Sequence, residues 1–217
     1  MKQIKAVLEI RYDQMPELFA YKNKVVRALG GTDAEKQASL VENVNIQAKD
    51  QFAHISVEPY RLLISVERRE PKKAQEYILG VYEKVDNLLH LSSVKQVGYR
   101  CMFTEESDDS FKDLVSRQKT AFFKDTAIAA DATDVAMPLT LKIDDYRVNF
   151  QSGAVKPDEL KERLEYKDLN VKNSYLIDLD FIKYNLSISR RSLKQHIEEI
   201  RNYQKSLISK WEEAIYE

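Results

Sequence analysis

The chain has 217 residues, 43% of them hydrophobic and 32% charged, with five glycines, five prolines and one cysteine. Its 34 basic residues nearly cancel its 35 acidic ones, so no overall basic field draws it to a nucleic acid or an anionic membrane. The lone Cys101 excludes an internal disulfide and a cysteine metal cluster.

In chain order, Ile4, Ala6, Leu8, Ile10 and Tyr12 alternate with polar residues and predict a first strand. Pro16 suits the first turn of a helix, with Leu18, Phe19, Val25, Val26 and Leu29 on its apolar stripe and Gly30-Gly31 as its stop. Residues 33–40 are ambiguous, with a short helix as one reading. Val44–Ala48, Ala53–Val57 and Leu62–Val66 read as three further strands, the first two joined by a turn at Lys49-Asp50. Pro71 then opens a helix carrying Ala74, Ile78, Val81, Val85 and Leu88 at spacings of four and three.

The second half repeats that order. Val94–Thr104 predicts a strand and Ser110–Lys124 a helix, with 125–134 as loop. Leu139–Ile143 and Tyr146–Phe150 read as a hairpin about Asp144-Asp145. Residues 153–173 form an insertion with a short helix over Pro157–Leu164. Tyr175, Ile177, Leu179 and Phe181 alternate as the last strand, and Ser192 with Gln195 fits a capping box. The helix it opens carries Leu193, Ile197, Ile200, Leu207, Trp211 and Ala214, with Gln204 in the one gap of the stripe. About 25 residues would span roughly 38 Å, more than a small sheet needs, so Trp211 and Tyr216 are expected over the other half or towards a partner.

Ile10-Arg11-Tyr12 matches Tyr99-Arg100-Cys101 in place, and Ile78, Val81 and Leu88 match Ile197, Ile200 and Leu207. The expected fold is therefore one α+β domain over 1–217. It would consist of two pseudo-repeated strand-helix-three-strand-helix halves, 1–92 and 93–217, with mostly antiparallel sheets covered by long helices. Met1–Tyr12 alternates and does not show the continuous apolar run expected of a signal peptide, and no run approaches the roughly 18 apolar residues of a membrane span. The expectation is a cytoplasmic protein without membrane contact.

The segment Val94–Phe103 (VKQVGYRCMF) resembles an R-I-G-L-R-Y strand of a sporadically distributed bacterial family. Gln96 stands at its first arginine and Cys101 at its tyrosine. That family also has a strand like Val7–Tyr12 and a segment like Leu176–Asp180 ahead of a C-terminal helix. The resemblance implies a bacterial cytoplasmic protein from a variable or defence-type gene neighbourhood. It brings no activity with it.

Asp178 and Asp180 share one strand face and could hold a hard divalent cation, although pairing with Lys142 or Lys183, or plain solvation, is the simpler account. His54, His90 and His196 have no metal-like spacing. Arg61, Arg68, Arg69, Lys72 and Lys73 gather near a helix start, where phosphate or nucleic-acid backbone could bind, but Glu67 and Glu70 interleave. With no catalytic motif and no cofactor signature, the expected function is a non-catalytic protein-binding or assembly module. It would act through a protein partner or as a homodimer, with Gln204, Trp211 and Tyr216 as contact residues. The alternative is a nucleic-acid-binding or metal-dependent processing protein using the carboxylate pair and the basic patch.

Overall fold

A computed structural model describes residues 1–15, 17–30, 43–49, 52–91, 93–124, 131–165, 171–184, 186 and 188–217. Its elements run β1 (Lys2–Tyr12), α1 (Glu17–Ala28), β2 (Val44–Ala48), β3 (Ala53–Glu58), β4 (Arg61–Glu67) and α2 (Pro71–Leu89). There follow β5 (Val94–Glu106), α3 (Phe111–Phe122), β6 (Ala136–Ile143), β7 (Tyr146–Val155), α4 (Pro157–Glu162), β8 (Ser174–Tyr184) and α5 (Arg190–Tyr216). The expectations at Pro16, Gly31, 33–40, Asp50 and 125–130 lie outside the described residues.

The α+β class holds, but the small sheets expected of two halves are one sheet. Eight strands join edge to edge in the order β2-β3-β4-β1-β5-β8-β7-β6. Every neighbouring pair is antiparallel. The halves meet at β1 and β5, whose ladder runs from Lys2↔Thr104 to Tyr12↔Val94. That junction buries two edges that separate sheets would have left unpaired, so the described strands leave only β2 and β6 at an edge.

Alternation then decides which side of the sheet is dry. Ala6, Leu8 and Ile10 of β1, Leu62 and Ile64 of β4, Tyr99 and Cys101 of β5, and Tyr175, Leu179 and Phe181 of β8 are all buried in one core. Leu18 and Val25 of α1, Ala74 and Ile78 of α2, Leu114 of α3 and Leu193 and Ile197 of α5 close over them. Each large side chain removed from water contributes on the order of 1.5–3 kcal/mol. A second, smaller cluster lies on the opposite face at one end. There Leu160 of α4 packs with Met102, Val155 and Leu176, and Ile4 and Val171 pack against it.

Three local readings need correction. The last helix begins at Arg190, with Ser189 as its cap: Ser192 donates its N–H to Ser189 Oγ at 3.2 Å and accepts from Ser189 N–H at 2.7 Å. Ser192 is thus the third residue of the helix rather than its cap. The hairpin strand β7 runs on through Gly153 to Val155, which shortens the insertion. A Cβ at Gly153 would stand 3.3 Å from the Val135 carbonyl oxygen, so the close backbone leading into β6 favours glycine there. Finally, Gln204, expected as a contact residue, lies in the interior, and its Nε2 has no hydrogen-bond partner among the described residues.

Candidate functional site: the open face of the sheet

The same alternation that fills the core sends the odd-numbered residues of β1 (Lys5, Val7, Glu9 and Arg11) to the other face. Successive Cβ atoms on a strand point to opposite sides. The ladders set two adjacent rows across the middle strands. One row reads Ser65, Val7, Arg100, Asp180 and Asn149; the next reads Leu63, Glu9, Gly98, Ile182 and Arg147. Most of these residues are partly or fully exposed, whereas their strand neighbours are in the core.

Two concavities of about 380 and 410 Å³ lie on this face and share Arg100 and Asp180 as a common wall. The first spans β4, β1, β5 and β8, with Glu165 also in its lining. The second extends over β7 and β6 to Pro138 and Thr140.

Charges on this face are met by local partners. Arg100 donates Nε–H to Asp178 Oδ1 at 2.8 Å and Nη2–H to Asp178 Oδ2. This is a two-point guanidinium–carboxylate pair of the stronger kind, with Asp178 buried and Arg100 half-exposed. Arg11 Nε lies 2.5 Å from Glu9 Oε1, and Arg61 Nη2 lies 2.5 Å from Glu58 Oε1. At the α4 end, Lys5 Nζ stands 3.0 Å from Glu67 Oε1 and 3.8 Å from Glu165 Oε1. Glu67, only 1% exposed, also accepts the Glu165 N–H at 2.9 Å. A hydrogen bond to His54, helped by Lys5, holds the Glu165 carboxyl below the usual carboxylate range.

Asp180 is the exception among the carboxylates of this face. Among the described residues it has no ion pair. Burial pushes its carboxyl above the usual range, against the opposing pull of Arg100 and a hydrogen bond to Asn149.

Of the residues singled out by sequence, Asp178 and Asp180 do share this face. Asp178 is paired with Arg100 of β5, not with Lys142 or Lys183; Lys183 instead stands 3.5 Å from Asp145. A guanidinium thus sits where the metal reading would put a cation. Among the described residues, no group of three or more His, Cys, Asp or Glu could hold a metal ion.

The five basic residues are divided between the two ends of β4. Arg61 opens β4 and pairs with Glu58, while Arg68 lies past the other end of the strand with its guanidinium 4.9 Å from the Phe52 ring centre. Arg69 stacks at 5.1 Å over Tyr77, Lys73 is 3.7 Å from Glu70, and Lys72 is exposed.

Two of the three expected contact residues also belong to the interior. Trp211 is 3% exposed and meets Tyr175 edge-on at 5.1 Å, because the last turns of α5 cross β8 and α3. Gln204 is equally buried. Tyr216 is exposed, with Arg117 lying 5.7 Å over its ring.

Residues that periodicity alone did not single out here are Arg100, Gly98, Ser65, Glu67 and Glu165. A glycine inside the strand pattern of β5, next but one to an arginine, was the available signal.

One other polar cluster ties α5 to the β6–β7 hairpin. Tyr146 Oη lies 3.0 Å from His196 Nδ1 and 3.1 Å from Glu199 Oε2, and Tyr203 hydrogen-bonds to Asp144. Burial, with the nearby Lys183, lowers the His196 pKa against the pull of Glu199. Burial, with Glu199 beside it, raises Tyr146 further above its already high value, which unfits it for proton transfer near neutrality. Cys101, pushed up to about 12 by burial, is no nucleophile either.

Among the described residues no helix is long and apolar enough to cross a membrane. No protein-family model matches the chain, and no curated protein matches it in sequence.

Proposed function

We propose that the chain is a non-catalytic protein-binding module whose contact surface is the open face of the sheet. One observation carries this: four helices cover one side of eight strands, while the central strands of the other side present two joined concavities lined by apolar and charged side chains together. A half-buried mix of Val7, Leu63 and Ile182 with charges already paired suits a protein partner, a second copy of the chain included. It suits a nucleic acid poorly, since Arg11, Arg61 and Arg100 are each matched by a carboxylate and no uncompensated basic track remains on the central strands.

The two halves are proposed to be pseudo-repeats. Each contributes four adjoining strands, β2-β3-β4-β1 and β5-β8-β7-β6, in the same relative order outward from the junction. Matching Ile10 to Tyr99 also matches their ladder partners, Leu62 and Phe181. Those partners precede the matched helix residues Ile78 and Ile197 by the same interval. A cytoplasmic, bacterial setting is part of the same proposal and rests on the resemblance of Val94–Phe103.

The test is partner capture followed by reconstitution from purified components, alongside light scattering of the chain alone over a range of concentrations. The Leu63→Arg, Ile182→Arg double variant changes two half-buried residues outside the main core. It is expected to keep its melting temperature within a few degrees and to lose the complex or the dimer. Full retention of binding by a folded double variant contradicts the proposal.

A further inference from the structure

We infer that the open face carries a slot for one cationic side chain, a lysine or arginine of a bound protein, seated over Gly98 between Asp180 and Glu9. The inference rests on the reading of this face as a protein-contact surface.

Gly98 sits in the interior of β5, opposite Glu9 of β1 and Ile182 of β8. Glycine in a strand interior costs conformational entropy and leaves nothing to pack, so it usually marks a bulge or a close approach. Neither backbone reason applies. Gly98 is not at positive φ, and the ladders of β5 with β1 and with β8 run through it without a register shift. At Gly153 a carbonyl oxygen 3.3 Å from the would-be Cβ accounts for the glycine. At Gly98 the nearest atom is a side-chain oxygen, Asp180 Oδ1, at 3.7 Å, followed by Glu9 Cβ at 3.9 Å. The missing side chain leaves a notch in the floor of the first concavity, with a carboxylate-bearing residue on either side.

The electrostatics favour a cation there. Arg100 turns Nε and Nη2 to Asp178, Arg11 is engaged by Glu9, and Lys5 is shared by Glu67 and Glu165. Of the carboxylates lining this concavity, Asp180 alone has no ion pair among the described residues. A desolvated carboxylate without a counter-charge is costly, and an incoming ammonium or guanidinium would remove that cost. Val7, Leu63 and Ile182 in the same lining give the aliphatic stem of lysine or arginine an apolar bed.

A second, independent feature points to a ligand along this concavity. Ser65 lines it from β4, is 2% exposed, and its hydroxyl has no hydrogen-bond partner among the described residues. Its strand neighbours Ile64 and Val66 face the core, so the Ser65 side chain is directed to the open side. Two strand spacings, about 10 Å, separate β4 from β5. A short extended peptide with its cationic residue over Gly98 reaches Ser65 within the length of its neighbouring residues.

The experiment is a titration of the ¹⁵N-labelled full chain with capped pentapeptides that differ only at the centre: lysine, norleucine or glutamate. The lysine peptide is expected to move the amide signals of Gly98, Asp180 and Ile182 saturably, with norleucine about tenfold weaker or worse and glutamate without effect. Asp180→Asn is expected to weaken the lysine peptide about tenfold. Gly98→Ala, which meets only ordinary van der Waals distances in the folded chain, should abolish binding while leaving the melting temperature unchanged.

Equal binding of lysine and norleucine peptides, or lysine binding indifferent to Asp180→Asn and Gly98→Ala, overturns the slot and leaves the open-face reading standing. Shifts confined to the helix-covered side overturn that reading as well. No shift with about 1 mM lysine peptide, where even a weak site of −4.1 kcal/mol is half filled, also overturns the slot.

Discussion

The two faces of one sheet show how differently the same strands can be used. On the helix side, every inward position of β1, β4, β5 and β8 is apolar or carries a satisfied polar tip. An example is Tyr175, whose hydroxyl donates to the Leu114 carbonyl at 3.0 Å. One position over on each strand, the open side alternates carboxylates, guanidinium groups and small apolar residues, and among the described residues it leaves Asp180 without an ion pair and the Ser65 hydroxyl without a hydrogen-bond partner. The first arrangement is what burial against four helices rewards. The second is stabilised by little beyond local charge pairs, so its composition is better explained by what it contacts than by what it holds together.

Substitutions on the two sides should therefore separate by size. Trp211→Ala removes a fully packed indole from the junction of α5, β8 and α3, and is expected to cost about 3–5 kcal/mol in chemical denaturation. A cost under about 1 kcal/mol would mean that the end of α5 is not part of the core.

Next comes the Arg100–Asp178 pair, where the two truncations should differ. Arg100→Ala strands a carboxylate only 5% exposed and is expected to cost about 2–4 kcal/mol, whereas Asp178→Ala leaves a half-exposed guanidinium that water can serve, at about 1 kcal/mol. The reverse order would show that the pair is not buried from the Asp178 side.

A smaller effect is expected at His196, whose lowered pKa means that the folded chain binds this proton less readily than the unfolded one. The stability it contributes is complete above the unfolded pKa and is lost as pH falls through it. Melting temperature should drop by a few degrees from about pH 7.5 to about pH 5.5, less steeply in His196→Gln.

The smallest effect has the opposite sign. Asp180 has a raised pKa, so its contribution is present in acid and lost as pH rises through the folded value. Asp180→Asn should raise the melting temperature by about 1–3 °C at neutral pH and leave it level near pH 3. A clear loss at neutral pH would mean that Asp180 serves the fold.

What sequence could reveal follows from range. The 3.6-residue stripe of α5 and the period-2 runs of β1, β5 and β8 are local patterns, so the elements and their apolar faces are legible. The pairing of Arg100 with Asp178, 78 residues apart, depends on the β5–β8 register and on the order of strands in the sheet, neither of which a local pattern encodes. For the same reason Trp211 and Gln204 read as candidate surface residues. Their helix is long enough to project, and only the joining of both halves into one sheet supplies the floor that buries them. Gly98 was visible as a residue but not as a notch, since its meaning comes from Asp180 and Glu9 on the flanking strands.

The most direct test of the central claim is residue-resolved radical footprinting of the chain, alone and bound to its reconstituted partner or in its dimer. The open-face account predicts protection of Val7, Leu63 and Ile182 on binding, with the exposed Phe19 of α1 and Tyr216 of α5 labelled equally in both states. Protection of Phe19 or Tyr216 with unchanged labelling of Leu63 and Ile182 would contradict it.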